Sequence, residues 1–206
     1  MYKNFFKRII DFFLAFTGLI VLSPIGIIVY LILLFINKGN PFFYQRRPGK
    51  DEKIFNIIKF KSMTDKKDEN GILLPDADRV TKFGTFIRKT SLDEIPQLIN
   101  IIKGDMSLIG PRPLRVRYLP YYTTEEKIRH TVKPGVTGLA QISGRNLLNW
   151  DDKLAKDVEY VKKLSFSNDV SIFFKTIRKV FVYDNTLYDP EMLDLKELRS
   201  NNTKEA

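Results

Sequence analysis

The stretch FFLAFTGLIVLSPIGIIVYLILLFI, Phe12–Ile36, runs for 25 residues without a charge, and its reading decides the fold. As a helix it extends about 37 Å at ~1.5 Å per residue, enough to cross a hydrocarbon core of ~30 Å. The run is too long for a cleaved leader, and no small-residue cleavage pattern stands immediately before Asn37. Ser23-Pro24 lies in its middle. Pro24 has no N–H to offer the carbonyl of Ile20, Ser23 can turn its hydroxyl onto a preceding carbonyl, and Gly26 adds freedom. Two topologies fit these residues. One is a single spanning helix; the other enters the membrane, breaks at Ser23-Pro24 and leaves by the same face.

Charge bears on the choice. The chain has 206 residues with 34 Lys plus Arg against 24 Asp plus Glu, a net charge of +10. Lys3, Lys7 and Arg8 precede the apolar run, Lys38, Arg46, Arg47 and Lys50 follow it, and Asp11 is the one acid in the first 50 residues. Lys and Arg mark cytoplasmic ends of membrane helices. Basic residues at both ends therefore give no direction of crossing and suit the re-entrant form as well as the spanning one. They also predict anionic membrane lipids as partners. Nucleic acid is not expected as a partner, because the basic excess flanks the apolar run and no recognition module is present. With no Cys and only His130, disulfides and thiolate metal sites are excluded and a zinc site is not expected. There is no G-x-x-x-x-G-K-[ST] loop, and no G-x-G-x-x-G follows a strand.

The organisation predicted is an anchor over residues 1–40, a catalytic domain over 41–183 and a polar, loosely held tail over 184–206. Phe42–Tyr44 and Ile54–Met63, joined through the turn residues 48–52, read as a β-hairpin. Residues 64–80 read as a polar loop and 81–89 as a short basic amphipathic helix. Ser91-Leu92-Asp93-Glu94 matches a capping box. It opens a helix through Ile95, Leu98, Ile99, Ile101 and Ile102 that stops at Gly104, with Pro96 in its first turn. The Gly/Pro-rich segment 105–146 holds short extended pieces at 106–109 and 139–142. Helices are predicted at 151–164 and about 170–183, the second capped by Ser167-Asn168-Asp169. Its apolar and basic residues suit either a core or a membrane surface. The fold class is mostly α with a small β-hairpin (α+β).

Asp93-Glu94 is the most suggestive pair. Acids favour the positive end of a helix dipole for stability alone. The same dipole would lower the pKa of an Asp, free N–H groups there would hold a phosphate, and a carboxylate can bind Mg²⁺ or attack phosphorus. Arg112, between two prolines, and Arg145, after Gly144, sit in stiff loops suited to a phosphate fork, with a solvated arginine as the alternative. Lys59, Lys61, Arg88 and Lys89 are nearer in sequence and equally compatible with surface charge. His130 has no partner pattern.

Taken together, these segments resemble the small monotopic phosphoglycosyl transferases, also called bacterial sugar transferases. The residues that carry the resemblance are Lys7-Arg8 and Asp11, Ser23-Pro24, and Gln45, Arg47, Gly49, Lys59 and Phe60 within 43–63. They continue with the runs 88–98, 104–113 and 133–138, followed by Gln141, Gly144 and Arg145. The likeness covers about residues 5–183. It implies a re-entrant helix broken at Ser23-Pro24, amphipathic interfacial helices, and both termini on the cytoplasmic face of a bacterial inner membrane. It implies that Asp93 attacks the β-phosphate of a UDP-sugar and expels UMP, after which the phosphosugar passes to a polyprenol phosphate, undecaprenyl phosphate. Glu94 would hold Mg²⁺ together with Asp93 or position the acceptor, and Lys59, Arg88, Arg112, Gln141 and Arg145 would bind substrate. Within the family, the likeness points to transfer of N,N′-diacetylbacillosamine phosphate in N-glycan assembly, with downstream glycosyltransferases as partners, by a minimal catalytic unit. A competing reading, a membrane-anchored scaffold without catalysis, accounts for the anchor but leaves Asp93-Glu94 unexplained.

Overall fold

The computed structural model describes residues 1–144 and 148–181, together with Leu195, Glu197 and Arg199. A π-helical turn, Tyr2–Phe6, leads into α1, Lys7–Ile36. The apolar run thus becomes one helix of 30 residues, and only 11% of its most apolar window is buried. Phe13, Leu14, Phe16, Ile20, Val21, Ile27, Ile28 and Phe35 are exposed, a surface that water would not stabilise and a bilayer would. Among the described residues this is the one helix long and apolar enough to cross a membrane. The expected break at Ser23-Pro24 is not an interruption, since helix continues through both residues. Its physical reason is local: the Ser23 hydroxyl donates to the carbonyl of Ile20 at 2.7 Å, the acceptor that Pro24 leaves without a backbone donor.

The inward stripe of α1 packs on the remainder of the chain along its length. Ala15 joins Ile57, Ile101 and Met106 in one core. Val29 and Leu33 join Phe60, Ile87 and Ile95 in a second. Both ends are tied down by hydrogen bonds. Arg8 donates to the carbonyls of Ile101 and Ile102 at 2.5 and 2.7 Å, and Asn37 donates to the carbonyl of Lys61 at 2.8 Å. Lys7 and Asp11 are buried. Lys7 pairs with Asp169 at 2.6 Å, and Asp11 accepts from the Ser107 hydroxyl at 2.6 Å and the Leu108 N–H at 3.2 Å. Asp169 is further held by the hydroxyls of Tyr2 and Tyr160 at 2.6 and 2.8 Å. Buried charges are retained in this way only when paired and hydrogen-bonded.

The hairpin forms as read, with β1 (Phe42–Pro48) antiparallel to β2 (Ile54–Phe60) and Phe43 opposite Lys59. Two short helices follow, α2 (Asp76–Arg79) and α3 (Lys82–Lys89). Thr81 caps α3 by accepting from the Gly84 N–H at 2.8 Å. The capping box does not form. Ser91 adopts a left-handed conformation (φ 56°) and its side chain caps nothing. Leu92–Glu94 become a separate 3₁₀ turn, and α4 begins only at Gln97, after Pro96. Glu94 is drawn instead to cations elsewhere in the fold.

Beyond α4 (Gln97–Lys103), β3 (Ser107–Ile109) pairs in parallel with β4 (Gly135–Thr137). A Cβ on Gly135 would lie 2.1 Å from the Gly110 nitrogen, so only glycine admits this approach. The extended piece expected at 139–142 is helix α5, Leu139–Ser143, for which the strand edge beyond Thr137 offers no further partner. Helix α6 (Trp150–Lys162) is capped by Asn149, and α7 (Phe166–Phe181) starts earlier than read, placing Asp169 in its first turn rather than at its cap. In the tail, Leu195 is fully buried against Tyr118, Tyr122 and Leu154, and Arg199 pairs with Glu126 at 2.8 Å. These two residues are held by the body; apart from them and Glu197, the predicted tail lies outside the described residues.

Candidate active site

The site is assembled where β2, α3, the 3₁₀ turn and the Pro111-Arg112-Pro113 loop meet. Asn100 on α4 fixes β2 against that helix, accepting from the Ile58 N–H at 3.0 Å and donating to the Asn56 carbonyl at 2.8 Å. This places Lys59, near the end of β2, over the 3₁₀ turn. Its ammonium is 2.6 Å from Glu94 Oε1 and 3.7 Å from Asp93 Oδ2. Arg112 reaches the same Glu94 Oε1 at 3.1 Å. Arg88 donates through Nε to the Ser62 hydroxyl at 2.8 Å and adds its charge to the field at Asp93.

Adjacent in sequence, the two acids differ electrostatically. Burial alone would raise Glu94, but Arg112 and Lys59 outweigh it and hold the carboxyl at about 2. Asp93 is buried and makes no hydrogen bond among the described residues. Burial pushes its carboxyl up from the ordinary range, against Lys59, and the negative charge of Glu94 adds to the rise. The expectation that a helix dipole would lower the pKa of Asp93 is therefore corrected: a three-residue turn supplies little dipole, and desolvation dominates.

Arg112 is built from below. The buried Arg129 donates to the Arg112 carbonyl at 2.7 Å and pairs with the buried Asp157 at 2.7 and 3.1 Å. Its guanidinium also lies 3.3 Å from the Tyr122 hydroxyl. Arg47 and Arg115 complete a cationic wall that sequence reasoning did not assign. Burial, then Arg112 and Arg115, lower the Arg47 guanidinium to about 10, and its Nε is buried with no partner. The signal for Arg47 was its place in a quoted hairpin motif; Asp157 stood on the charged helix as a candidate for a solvated face and is buried instead, and nothing pointed to its pairing with Arg129, 28 residues away.

The expected site residues thus divide. Lys59, Arg88, Asp93, Glu94 and Arg112 converge. Gln141 does not join them: it donates to the Val136 carbonyl at 3.2 Å, with its Oε1 buried and unpaired. Arg145 lies outside the described residues. His130 is buried, and burial and Arg129 lower its imidazole to about 4, which leaves it neutral near pH 7. Among the described residues no group of three metal-ligating side chains occurs. Within the dyad, the oxygens that accept no hydrogen bond among the described residues are those of Asp93 and the second oxygen of Glu94. That set fits Mg²⁺, which is commonly held by one or two carboxylates together with substrate phosphates.

The paired carboxylates, with Lys59, Arg47, Arg112 and Arg115 around them, form a site whose cations suit an anionic ligand. The bacterial sugar transferase family pattern matches residues 2–183, and the chain belongs to that family. It is a transferase. It is similar to the uncharacterized sugar transferase EpsL of Bacillus subtilis, 49% identical over 85% of this chain and 87% of that protein. It is also 38% identical to the undecaprenyl-phosphate galactose phosphotransferase of Salmonella typhimurium, over 88% of this chain. A UDP-glucose:undecaprenyl-phosphate glucose-1-phosphate transferase of Klebsiella pneumoniae is likewise 38% identical, over 86% of this chain. The matches span 42% and 40% of those two longer proteins.

The Arg129–Asp157 pair yields a direct prediction. Asp157→Asn leaves a buried guanidinium uncompensated and should cost about 3–5 kcal/mol of stability, read as a lowered thermal unfolding midpoint in detergent. An unchanged midpoint would show that Arg112 is supported by other contacts.

Proposed function

We propose that this chain transfers a sugar 1-phosphate from a UDP-sugar to undecaprenyl phosphate, releasing UMP, by way of a phosphosugar carried on Asp93. The observation that carries the reading is the asymmetry of the dyad: Glu94 is engaged by Lys59 and Arg112, while the raised carboxylate of Asp93, 3.7 Å from Lys59, accepts no hydrogen bond among the described residues. A carboxylate oxygen of Asp93 attacks the β-phosphorus. The bond from that phosphorus to the bridging oxygen breaks, and UMP departs with the electron pair. A phosphate oxygen of the lipid acceptor then attacks the same phosphorus and returns the carboxylate. Both leaving groups are stable anions near neutral pH, so neither displacement needs a histidine acid.

Arg112, Arg47 and Arg115 would face the diphosphate and offset its charge as the nucleophile approaches. Glu94 keeps Lys59 and Arg112 aimed at the reacting phosphorus. Asp93 and Glu94 would hold Mg²⁺, whose charge would offset that of the diphosphate. Gln141 and Arg145 are kept as candidates for the nucleotide part of the donor. The relatives named above carry galactose and glucose in their names, and these head the panel of donors. N,N′-diacetylbacillosamine and a place in N-glycan assembly draw no support from those names.

For topology we propose the re-entrant form on the cytoplasmic face. A 30-residue helix is about 45 Å long, yet both its ends are hydrogen-bonded to the same body, at Ile101-Ile102 and at Lys61. A body on one side of a bilayer supports this only if α1 does not leave it for the other side.

UMP release from a UDP-sugar panel tests the activity. Asp93→Asn should lose roughly a thousand-fold or more, and Glu94→Gln most of its rate; wild-type turnover by Asp93→Asn would sink the mechanism. Topology has its own test. The chain has no cysteine, so Lys3→Cys and Glu52→Cys each give a single thiol. Both should resist an impermeant thiol reagent in intact cells and react after permeabilisation. Labelling of Lys3→Cys in intact cells would restore the spanning helix.

A further inference from the structure

Three of the segments singled out in the sequence, at Lys7-Arg8, Gly104-Asp105 and Lys133-Pro134-Gly135, take no part in the site described above. They meet at the C-terminal end of α4. Gly104 holds a left-handed turn there (φ +96°), and a Cβ on it would lie 3.2 Å from Arg8 Nη2 and 3.4 Å from Lys133 Nζ. Two cations thus converge on one side-chain-free point. Among the described residues no carboxylate lies within ion-pairing distance of either cation. Arg8 spends two donors on the Ile101 and Ile102 carbonyls, and Lys133 has no hydrogen-bond acceptor among the described residues. Burial, Arg8 and Lys50 lower the Lys133 ammonium against the pull of Asp11 and Asp105, as expected where positive charge is left uncompensated.

The place is as informative as the charge. Arg8 stands at the start of the membrane helix, over the Phe12 ring, among the exposed Phe5, Phe6, Ile9 and Phe13. A pair of cations at the start of an exposed apolar helix suits a group that is anionic and lipid-linked. It lies at the far end of α4 from Asp93-Glu94, which precede Gln97. We propose that Arg8 and Lys133 bind the phosphate of an anionic phospholipid over Gly104, fixing the depth of the enzyme in the membrane. The inference rests on the membrane placement of α1 and not on the chemistry of Asp93.

The test uses the full chain in neutral detergent, titrated with phosphatidylglycerol, phosphatidylcholine or inorganic phosphate and read by thermal unfolding. Wild type should be stabilised by phosphatidylglycerol and not by phosphatidylcholine. Lys133→Gln, which removes no hydrogen bond of the fold, should weaken the apparent phosphatidylglycerol affinity about ten-fold. Lys66→Gln, in an exposed loop, should leave it unchanged. Equal phosphatidylglycerol responses in wild type and Lys133→Gln, or equal responses to the two lipids, would overturn the proposal. Stabilisation by inorganic phosphate that is lost in Lys133→Gln and matches the lipid effect would overturn the lipid assignment. UMP release measured on the same samples reads the transferase site separately.

Discussion

Glu94 is shared by Lys59 and Arg112, and Asp93 by neither at hydrogen-bonding distance. The site depends on that division. Two cations on one carboxylate hold it ionised and hold themselves in place, so positive charge is fixed without neutralising the neighbouring acid. Burial makes the Asp93 carboxylate more basic than an ordinary aspartate, as the proposed attack on phosphorus requires. The left-handed Ser91 and the short 3₁₀ turn make the division possible. They separate the acids from α4 and stop Glu94 from folding back as a cap.

Supporting layers keep the cluster rigid. From one side, Asn100 clamps β2 to α4 and so sets Lys59 over Asp93 and Glu94. From the other, Arg129 on its Asp157 partner holds the backbone of Arg112. Helix α1 packs along the assembly and contributes to two of the cores under the site. The anchor is therefore part of the catalytic body. Its N-terminal charges are buried in that body, with Lys7 on Asp169 and Asp11 on Ser107.

Local signals were legible in the sequence. Aromatic and turn residues marked the hairpin, Thr81 stood at the start of α3, and the uncharged run announced α1. Asp93, Glu94, Lys59, Arg88 and Arg112 were all named, and the structure brings them together. Interactions between distant residues were not legible: Arg129 with Asp157, Lys7 with Asp169, or β3 with β4 across 28 residues. Such pairs have no spacing rule. The capping box failed for a related reason, because a cation elsewhere in the chain competed for Glu94 and won. The continuation of helix α1 through Pro24 shows the converse, a local hydroxyl satisfying the carbonyl that the proline leaves without a donor.

The central claim is that Asp93 carries the phosphosugar. Intact-mass measurement after incubation with UDP-galactose or UDP-glucose, without acceptor, tests it most directly. The account predicts a protein heavier by one hexose phosphate, with the adduct on the peptide containing Asp93, none in Asp93→Asn, and loss of the adduct when undecaprenyl phosphate is added. UMP release by a protein whose mass stays unchanged at every time point, or an adduct on any other residue, would contradict it.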